Sequence, residues 1–155
     1  MNQFAFGNTS LRRLRTCDMQ LQSVLHRAMG LQLMDFTILV GHRDQTDQDE
    51  AFYSRPQRSK LRWPNSMHNT MPSLAVDIAP WPIRWGDAGS PTRIKDIGRF
   101  YKLAGIVLAT AREQSIVLRW GGDWTMNGNV YDQDFDDLVH FELRNMDGTA
   151  IRRVA

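Results

Sequence analysis

The stretch SMHNTMPSLAVDIAPW, residues 66–81, joins a loop-like segment that carries a histidine to an apolar run that contains an acid. His68 stands in the first part beside asparagine and proline, and Asp77 stands in the middle of LAVDIA, residues 74–79. An unpaired carboxylate is costly to bury in an apolar environment. The sequence therefore predicts a strand at LAVDIA and a positively charged group that meets Asp77.

A second apolar run near the C-terminus repeats this pattern. Successive side chains of a strand point to opposite faces, so Asp77 is predicted to lie opposite the aliphatic face of its own strand. In LVHFELRN, residues 138–145, the same alternation puts His140 and Glu142 on one face and Val, Phe and Leu on the other. If the two strands pair, Asp77 and His140 point into the same space. The preceding loop could then bring His68 over that space.

The remaining apolar patterns predict the fold class. Helices are predicted at residues 8–30, at residues 44–54 and from Thr92 onward, and further strands at residues 34–41 and 116–120. Residues 54–73 are rich in Ser, Arg, Pro and Asn, which predicts a long loop. Because helices and strands mix without regular βαβ alternation, we expect an α+β fold with a small, mainly antiparallel sheet flanked by helices.

Length and composition restrict the broad class of protein. The 155 residues fit a single domain, 1–155, and five tryptophans favour a well-packed core. The formal net charge of +2 is too mild to imply nucleic-acid binding, and no run of about twenty apolar residues predicts a membrane span. With Cys17 as the only cysteine, no internal disulfide can form. Residues 1–15 lack the apolar core of a signal peptide, so we expect a protein held in a cytoplasm. We also expect a monomer.

His68, Asp77 and His140 form a predicted zinc site. Two imidazoles and one carboxylate suit zinc, and three protein ligands leave a fourth position for water, as in catalytic sites. Zinc lowers the pKa of its water from about 16 to about 7. Asp137, where the chain enters the last strand, is the predicted general base and then acid. Arg43, just after the first predicted strand, is the predicted cation for a developing oxyanion.

Each of these residues also has an ordinary structural interpretation. His68 could be a surface loop histidine, and His140 could be a half-buried histidine with satisfied hydrogen bonds. Asp77 could lie at a strand edge or bulge, or pair with an arginine. Asp137 could belong to the solvated acids of DQDFDD, and Arg43 could be only a salt-bridge partner. The functional interpretation depends on the strand alternation and on the order of the residues together.

Three further residues have roles that the sequence leaves open or weighs toward packing. Glu142 shares the face of His140 and could orient a ligand imidazole or be a solvated strand residue. Cys17 falls on the apolar stripe of the first helix, which predicts a small core residue and not a nucleophile. His42 neighbours Arg43 and could face the pocket.

Four segments, in this order, resemble a known family of zinc peptidases. They are ILVGHRDQTDQDEAFY, SMHNTMPSLAVDIAPWPIRW, LRWGGDW and DLVHFEL, and they extend over roughly residues 36–143 with the pattern S-x-H…A-x-D, then D-x-x-H-F-E. The family includes VanX- and VanY-type D-Ala-D-Ala peptidases and phage L-alanyl-D-glutamate endolysins. The resemblance implies the α+β fold shared with Hedgehog-type domains, in which helices flank a small antiparallel sheet.

The resemblance also implies roles for individual residues. It implies that zinc is held by His68, Asp77 and His140. It also implies that Asp137 is the catalytic acid and base and that Arg43 stabilises the transition state. Ser66 matches the serine before the first ligand, and Gln48 matches the glutamine of the helix after the arginine. Trp120 and Trp124 match the W-G-G-D-W segment beside the site. These four residues are predicted to support the site or to bind substrate.

The chain departs from the common motif H-x-x-G-x-A-x-D in one loop. The second ligand follows the first by nine positions, Met71-Pro72 accounts for the extra length, and Ser73 stands where glycine is usual. We expect this longer loop to change loop conformation and substrate preference, and to leave the ligands intact.

The sequence thus predicts a phage-type endolysin, a zinc peptidase that hydrolyses the L-alanyl-D-glutamate bond in the peptide stems of peptidoglycan. It would be made in the host cytoplasm and released to the cell wall by a separate pore. Two alternatives remain at this point. One is a D-Ala-D-Ala carboxypeptidase or dipeptidase, and the other is a non-catalytic wall-binding module that keeps the fold and the metal.

Overall fold

The chain folds around one four-stranded sheet with helices against it. The computed structural model describes residues 3–152. In chain order the elements are α1 (Asn8–Leu14), α2 (Met19–Gly30), β1 (Phe36–Val40), α3 (Gln45–Tyr53), a 3-10 helix (Met67–Asn69), β2 (Ala75–Pro80), α4 (Arg93–Glu113), β3 (Val117–Gly121) and β4 (Asp137–Arg144). The strand order is β1-β2-β4-β3, and each neighbouring pair is antiparallel. This architecture confirms the predicted α+β class.

The prediction of one continuous helix over residues 8–30 is wrong, because the chain breaks into α1 and α2. At the break, the backbone N–H of Asp18 donates to the Ser73 carbonyl at 2.8 Å, and Cys17 forms an isolated bridge with Ser73. The Asp18 side chain accepts a hydrogen bond from the backbone N–H of Gln20 at 2.8 Å and caps α2. The apolar spacing continues across the break, so spacing alone favoured a single helix.

One face of the sheet packs against α2 and α4 and forms the core. Its buried residues include Val76 and Ile78 of β2 and Phe141 of β4. The helices cover this face with Leu21, Val24, Leu25, Leu103, Ala104 and Val107. Each large apolar side chain buried here stabilises the fold by about 1.5–3 kcal/mol. Within residues 3–152, no helix has the length and apolar character needed to cross a membrane.

The other face of the sheet carries polar side chains. β2 and β4 pair so that Asp77 lies opposite His140 and Ala75 lies opposite Glu142. β3 pairs with the other side of β4 and places Arg119 opposite Glu142. The predicted pairing of the two alternating strands is confirmed, and it gathers charged groups on the face that points away from the core.

Two glycines allow the chain to approach closely around this polar face. A Cβ atom at Gly41, just after β1, would clash with the turn at residues 13–16. A Cβ atom at Gly121, at the end of β3, would clash with the backbone of Asp137. Glycine at both positions therefore lets the segments that carry site residues pack directly against their neighbours.

Candidate active site

Three side chains converge on the polar face of the sheet: His68, Asp77 and His140. The Nε2 atom of His68 lies 3.0 Å from Oδ1 of Asp77 and 3.2 Å from Nδ1 of His140. Nδ1 of His140 lies 3.1 Å from the same Asp77 oxygen, and all three residues are buried. Ligand atoms of a tetrahedral zinc ion would lie about 3.3 Å from one another. This group could therefore hold a metal ion.

The outer nitrogen of each imidazole has a fixed partner. Nδ1 of His68 lies 2.7 Å from the Gly41 carbonyl oxygen, and Nε2 of His140 lies 3.0 Å from Oε2 of Glu142. Carbonyl and carboxylate oxygens accept hydrogen bonds, so both outer nitrogens donate. In neutral imidazoles the other two nitrogens, Nε2 of His68 and Nδ1 of His140, then carry lone pairs. These lone pairs and the Asp77 carboxylate converge on one point. Metal-binding histidines have this arrangement, so the three residues fit a metal ion.

The electrostatics of the cluster favour positive charge. Burial opposes ionisation of Asp77, but the positive charge of the imidazoles outweighs it and holds the pKa of this carboxyl well below its usual range. Burial also opposes the charged form of His140, yet the hydrogen bonds that its ring donates to the carboxylates of Asp77 and Glu142 raise its pKa to about 10. Two carboxylates therefore stabilise a cation at this place, whether it is a proton or a metal. This is the positive partner that the position of Asp77 in its strand required.

His68 is positioned by a short capped turn. The Ser66 hydroxyl accepts a hydrogen bond from the backbone N–H of His68 at 3.3 Å, and the Asn69 side-chain oxygen accepts one from the Ser66 backbone at 2.9 Å. Ser73, at the usual glycine position, is buried and donates to the Ala75 carbonyl at 2.6 Å. The longer loop is thus fixed at both ends, and His68 reaches the cluster despite the extra residues.

Arg43 lies beside the cluster and is held by Gln48. Its Nη2 atom lies 3.6 Å from Oδ2 of Asp77, and its Nη1 atom donates to Oε1 of Gln48 at 3.2 Å. Gln48 is fully buried, and its amide nitrogen donates to the Ser59 hydroxyl at 2.9 Å and to the Leu61 carbonyl at 2.5 Å. Gln48 therefore connects the guanidinium of Arg43 to a wall of the cavity above the cluster.

Asp137 begins β4 and lines the same cavity as the three clustered residues and Arg43. Burial and the negative charge of Asp77 raise the pKa of the Asp137 carboxyl above its ordinary value. A carboxyl whose pKa moves toward neutral pH can both accept and release a proton. The fold therefore brings the predicted acid and the predicted arginine to the predicted metal ligands.

The two tryptophans predicted near the site lie on different faces of the sheet. Trp124 lines the cavity, which has a volume of about 410 Å³, and its ring centroid lies 5.6 Å from that of His140. Trp120 is buried on the core face, where its ring stacks on Phe141 at a centroid distance of 6.4 Å. Of the two, Trp124 is the one that can contact a molecule in the cavity.

Comparison with known proteins agrees with this geometry. The sequence model of the family described as phage L-alanyl-D-glutamate peptidase matches residues 2–144. The chain belongs to this peptidase family. It is 33% identical over 139 residues to the L-alanyl-D-glutamate peptidase of Escherichia phage T5. The aligned region covers 84% of this chain and 88% of the relative. The predicted family resemblance is thereby confirmed.

A solved structure supports the fold of the peptidase independently. The crystal structure of the Serratia marcescens L-Ala D-Glu endopeptidase ChiX superimposes with a TM-score of 0.64 and covers 92% of each chain. The sequence identity is 24%, so this similarity concerns the fold alone.

Some residues around the site of this peptidase were not singled out by sequence patterns. Asn69 was missed, although S-x-x-N at residues 66–69 has the spacing of a capping box. Arg119 and Arg144 were missed because their contacts with Glu142 depend on how β3 and β4 pair. Glu142 itself is buried and contacts His140, which resolves its open role in favour of orienting an imidazole.

The two other open residues near the site have clear positions. Cys17 is 2% exposed, as predicted for a small core residue, and burial raises the pKa of its thiol to about 12. His42 lines a neighbouring cavity that also reaches Asp77, and its backbone N–H donates to the Thr16 hydroxyl at 2.8 Å.

Proposed function

We propose that this chain is a zinc-dependent endolysin that hydrolyses the L-alanyl-D-glutamate bond in the peptide stems of peptidoglycan. One observation carries the proposal: the inner nitrogens of His68 and His140 and one oxygen of Asp77 lie within 3.2 Å of one another at the base of an open cavity. Membership of the peptidase family indicates which bond is cleaved, and the types of the three ligands indicate which metal is bound. Two imidazoles and one carboxylate are characteristic of catalytic zinc sites.

The proposed mechanism assigns the chemistry to residues that line this cavity. A zinc ion held by the three ligands would polarise the scissile carbonyl and lower the pKa of a water molecule. Asp137 accepts the proton of the attacking water and passes it to the leaving amine, for which its raised pKa is suited. Arg43 offers its guanidinium to the oxygen that gains negative charge. Gln48 and Ser66 keep Arg43 and His68 in position through the hydrogen bonds described above.

Digestion of purified cell wall tests the scissile bond. Wild-type protein loaded with zinc should release fragments with new D-Glu amino termini, which mass spectrometry of the soluble products identifies. Release of free D-Ala without new D-Glu termini would instead assign the chain to D-Ala-D-Ala carboxypeptidases.

Substitution of Asp137 tests whether the chain is an enzyme or a wall-binding module. Asp137→Asn should keep its zinc content and lose cleavage by about 10²–10⁴-fold, because it removes the group that transfers the proton. Asp134→Asn is the matched control, since Asp134 is an exposed acid in the same run. Full wall degradation by Asp137→Asn would refute the assigned mechanism.

A further inference from the structure

Two arginines and one glutamate extend the polar face of the sheet beyond the metal-ligand cluster. Nη2 of Arg119 lies 2.6 Å from Oε1 of Glu142, and Nη2 of Arg144 lies 2.5 Å from the same oxygen. The other Glu142 oxygen accepts the hydrogen bond from His140. One carboxylate therefore serves two guanidinium groups and an imidazole, which leaves this part of the cavity with an excess of positive charge.

The two guanidinium groups also keep unused donors. The Nε atoms of Arg119 and Arg144 are buried and have no hydrogen-bond partner among the described residues. The side chain of Arg144 is 10% exposed and that of Arg119 is 27% exposed, and both line the cavity. A buried donor without a partner is costly, so Glu142 leaves the hydrogen-bonding capacity of both guanidinium groups incompletely used.

The charges of the whole cavity point to the same kind of ligand. Five cationic side chains and three carboxylates line it. Burial lowers the pKa of Arg119, and the neighbouring charge of Arg144 lowers it further against the opposing effect of Glu142. The face of the Trp124 ring covers the Arg119 guanidinium at 5.0 Å and limits the directions in which it can turn. An anion with two oxygens suits such fixed, planar donors.

We propose that Arg119 and Arg144 form a carboxylate-binding subsite that receives the free carboxylate of the substrate's D-glutamyl residue. The proposal rests on the proposed function and adds a specificity determinant to it. A glutamate whose amino group is in the scissile bond has two carboxyl groups, and the stem continues through only one of them. The other carboxylate is free on the residue next to the cleaved bond.

The spacing along β4 agrees with this assignment. Glu142 lies two positions from His140 on the same face of the strand, about 7 Å along it, and its Oε2 atom lies 3.0 Å from the His140 ring. Because both guanidinium groups reach the other oxygen of this carboxylate, they lie within about two residue lengths of the His140 ring. An extended peptide advances about 3.3–3.6 Å per residue. A substrate cleaved beside His140 therefore carries its next carboxylate within one or two residue lengths of the arginines.

Two synthetic stem peptides test the subsite. They differ only at the D-glutamyl residue, which has a free carboxylate in one peptide and a carboxamide in the other. Wild-type zinc enzyme should cleave the carboxylate peptide with a kcat/KM at least about 10-fold higher, since the carboxamide lacks the charge that strengthens these hydrogen bonds. Arg119→Gln and Arg144→Gln should lower kcat/KM on the carboxylate peptide by about 10- to 100-fold, mainly through KM, and change the carboxamide peptide by less than about 3-fold.

Controls separate binding from folding and from metal positioning. Arg27→Gln changes an exposed arginine on α2 and should leave the preference for the carboxylate peptide unchanged. Zinc content and circular dichroism are measured for every variant. If Arg144→Gln does not fold, the kinetics of Arg119→Gln alone test the subsite. Arg119 is more exposed and lies on an edge strand, so its substitution should disturb the fold less.

The outcomes distinguish this subsite from the proposed function. Equal losses on both peptides in Arg119→Gln would overturn the subsite and assign the arginines to the positioning of His140 through Glu142. Equal cleavage of both peptides by the wild type would overturn the subsite alone and leave the endopeptidase proposal standing. Failure of the wild type to cut either peptide, with release of D-Ala from the wall, would overturn both.

Discussion

Asp77 shows at the scale of a single residue how a buried acid is kept charged. Its carboxylate lies 3.0 Å from the His68 imidazole, 3.1 Å from that of His140 and 3.6 Å from the Arg43 guanidinium. The sequence alone left an arginine and a metal as alternative partners for this acid. In the structure Asp77 has both kinds of partner. The imidazoles of His68 and His140 contact its Oδ1 atom, and Arg43 approaches its Oδ2 atom. The same residue thus belongs to a group that could hold a metal ion and also contacts Arg43.

The Arg43 guanidinium is expected to act on the transition state. Arg43→Lys keeps the charge but loses the planar fork that Gln48 and Asp77 hold. We expect kcat to fall by about 10²-fold with KM changed by less than about 3-fold, because the oxyanion forms only as the reaction proceeds. Steady-state kinetics on a stem peptide measure both constants. Arg93→Lys, at an exposed position on α4, is the control, and a pure KM effect in Arg43→Lys would contradict the role.

The buried Cys17 thiol predicts a pH dependence of stability. Its pKa is raised from 9.0 to about 12 in the folded chain because the thiol is buried, so the folded state keeps the thiol protonated where the unfolded chain ionises. The contribution of Cys17 is therefore fully present below pH 9 and is lost progressively as the pH rises from 9 toward 12.

The difference in unfolding free energy between wild type and Cys17→Ala measures this effect. It should stay constant from about pH 7 to 8 and then fall by about 1.4 kcal/mol by pH 10. Urea unfolding of both proteins at each pH provides the values. A difference that does not change with pH would mean that the thiol is accessible to water in the folded chain.

At the scale of secondary structure, pairing could be predicted where the local pattern is strong. The alternation in β2 and β4 was sufficient to place Asp77 opposite His140. The break between α1 and α2 was not predicted, because it depends on a hydrogen bond from Asp18 to Ser73, which is distant in sequence. The 3-10 helix at Met67–Asn69 was predicted only as loop, since its cap consists of three residues without an apolar pattern.

That short capped turn predicts a joint effect on the metal and on Arg43. The Asn69 amide nitrogen donates to the Arg43 carbonyl at 3.0 Å and to Oε1 of Gln48 at 3.1 Å, while its oxygen caps the turn that carries His68. Asn69→Ala should therefore weaken zinc binding by about 10-fold and lower kcat as well. Zinc titration with a competing chelator and steady-state kinetics measure the two effects.

The control for the capped turn is Asn8→Ala, which removes an exposed asparagine from the first turn of α1. It should leave zinc affinity and kcat unchanged. Unaltered zinc binding in Asn69→Ala would show that the sheet alone holds His68 in place.

At the scale of the whole molecule, the site joins segments that are far apart in the chain. His68 and Asp77 are nine residues apart, whereas His140 lies 63 residues beyond Asp77 and 72 beyond His68. The convergence of these three side chains could be predicted because two of them lie on paired strands of one sheet. The surrounding charges could not, because Arg119 and Arg144 meet Glu142 only after β3 has paired with β4.

This long-range assembly predicts that zinc stabilises the entire fold. The unfolded chain cannot hold the three ligands together, so the ion binds the folded state, and a free concentration 100-fold above Kd adds about 2.7 kcal/mol. For a chain of this size the melting temperature should rise by about 5–11 °C. Calorimetry of chelator-treated protein with and without added zinc measures the shift. His140→Ala should lose most of it, whereas Asp134→Asn should keep it. Equal melting temperatures of wild type with and without zinc would mean that the three side chains do not bind the ion as a unit.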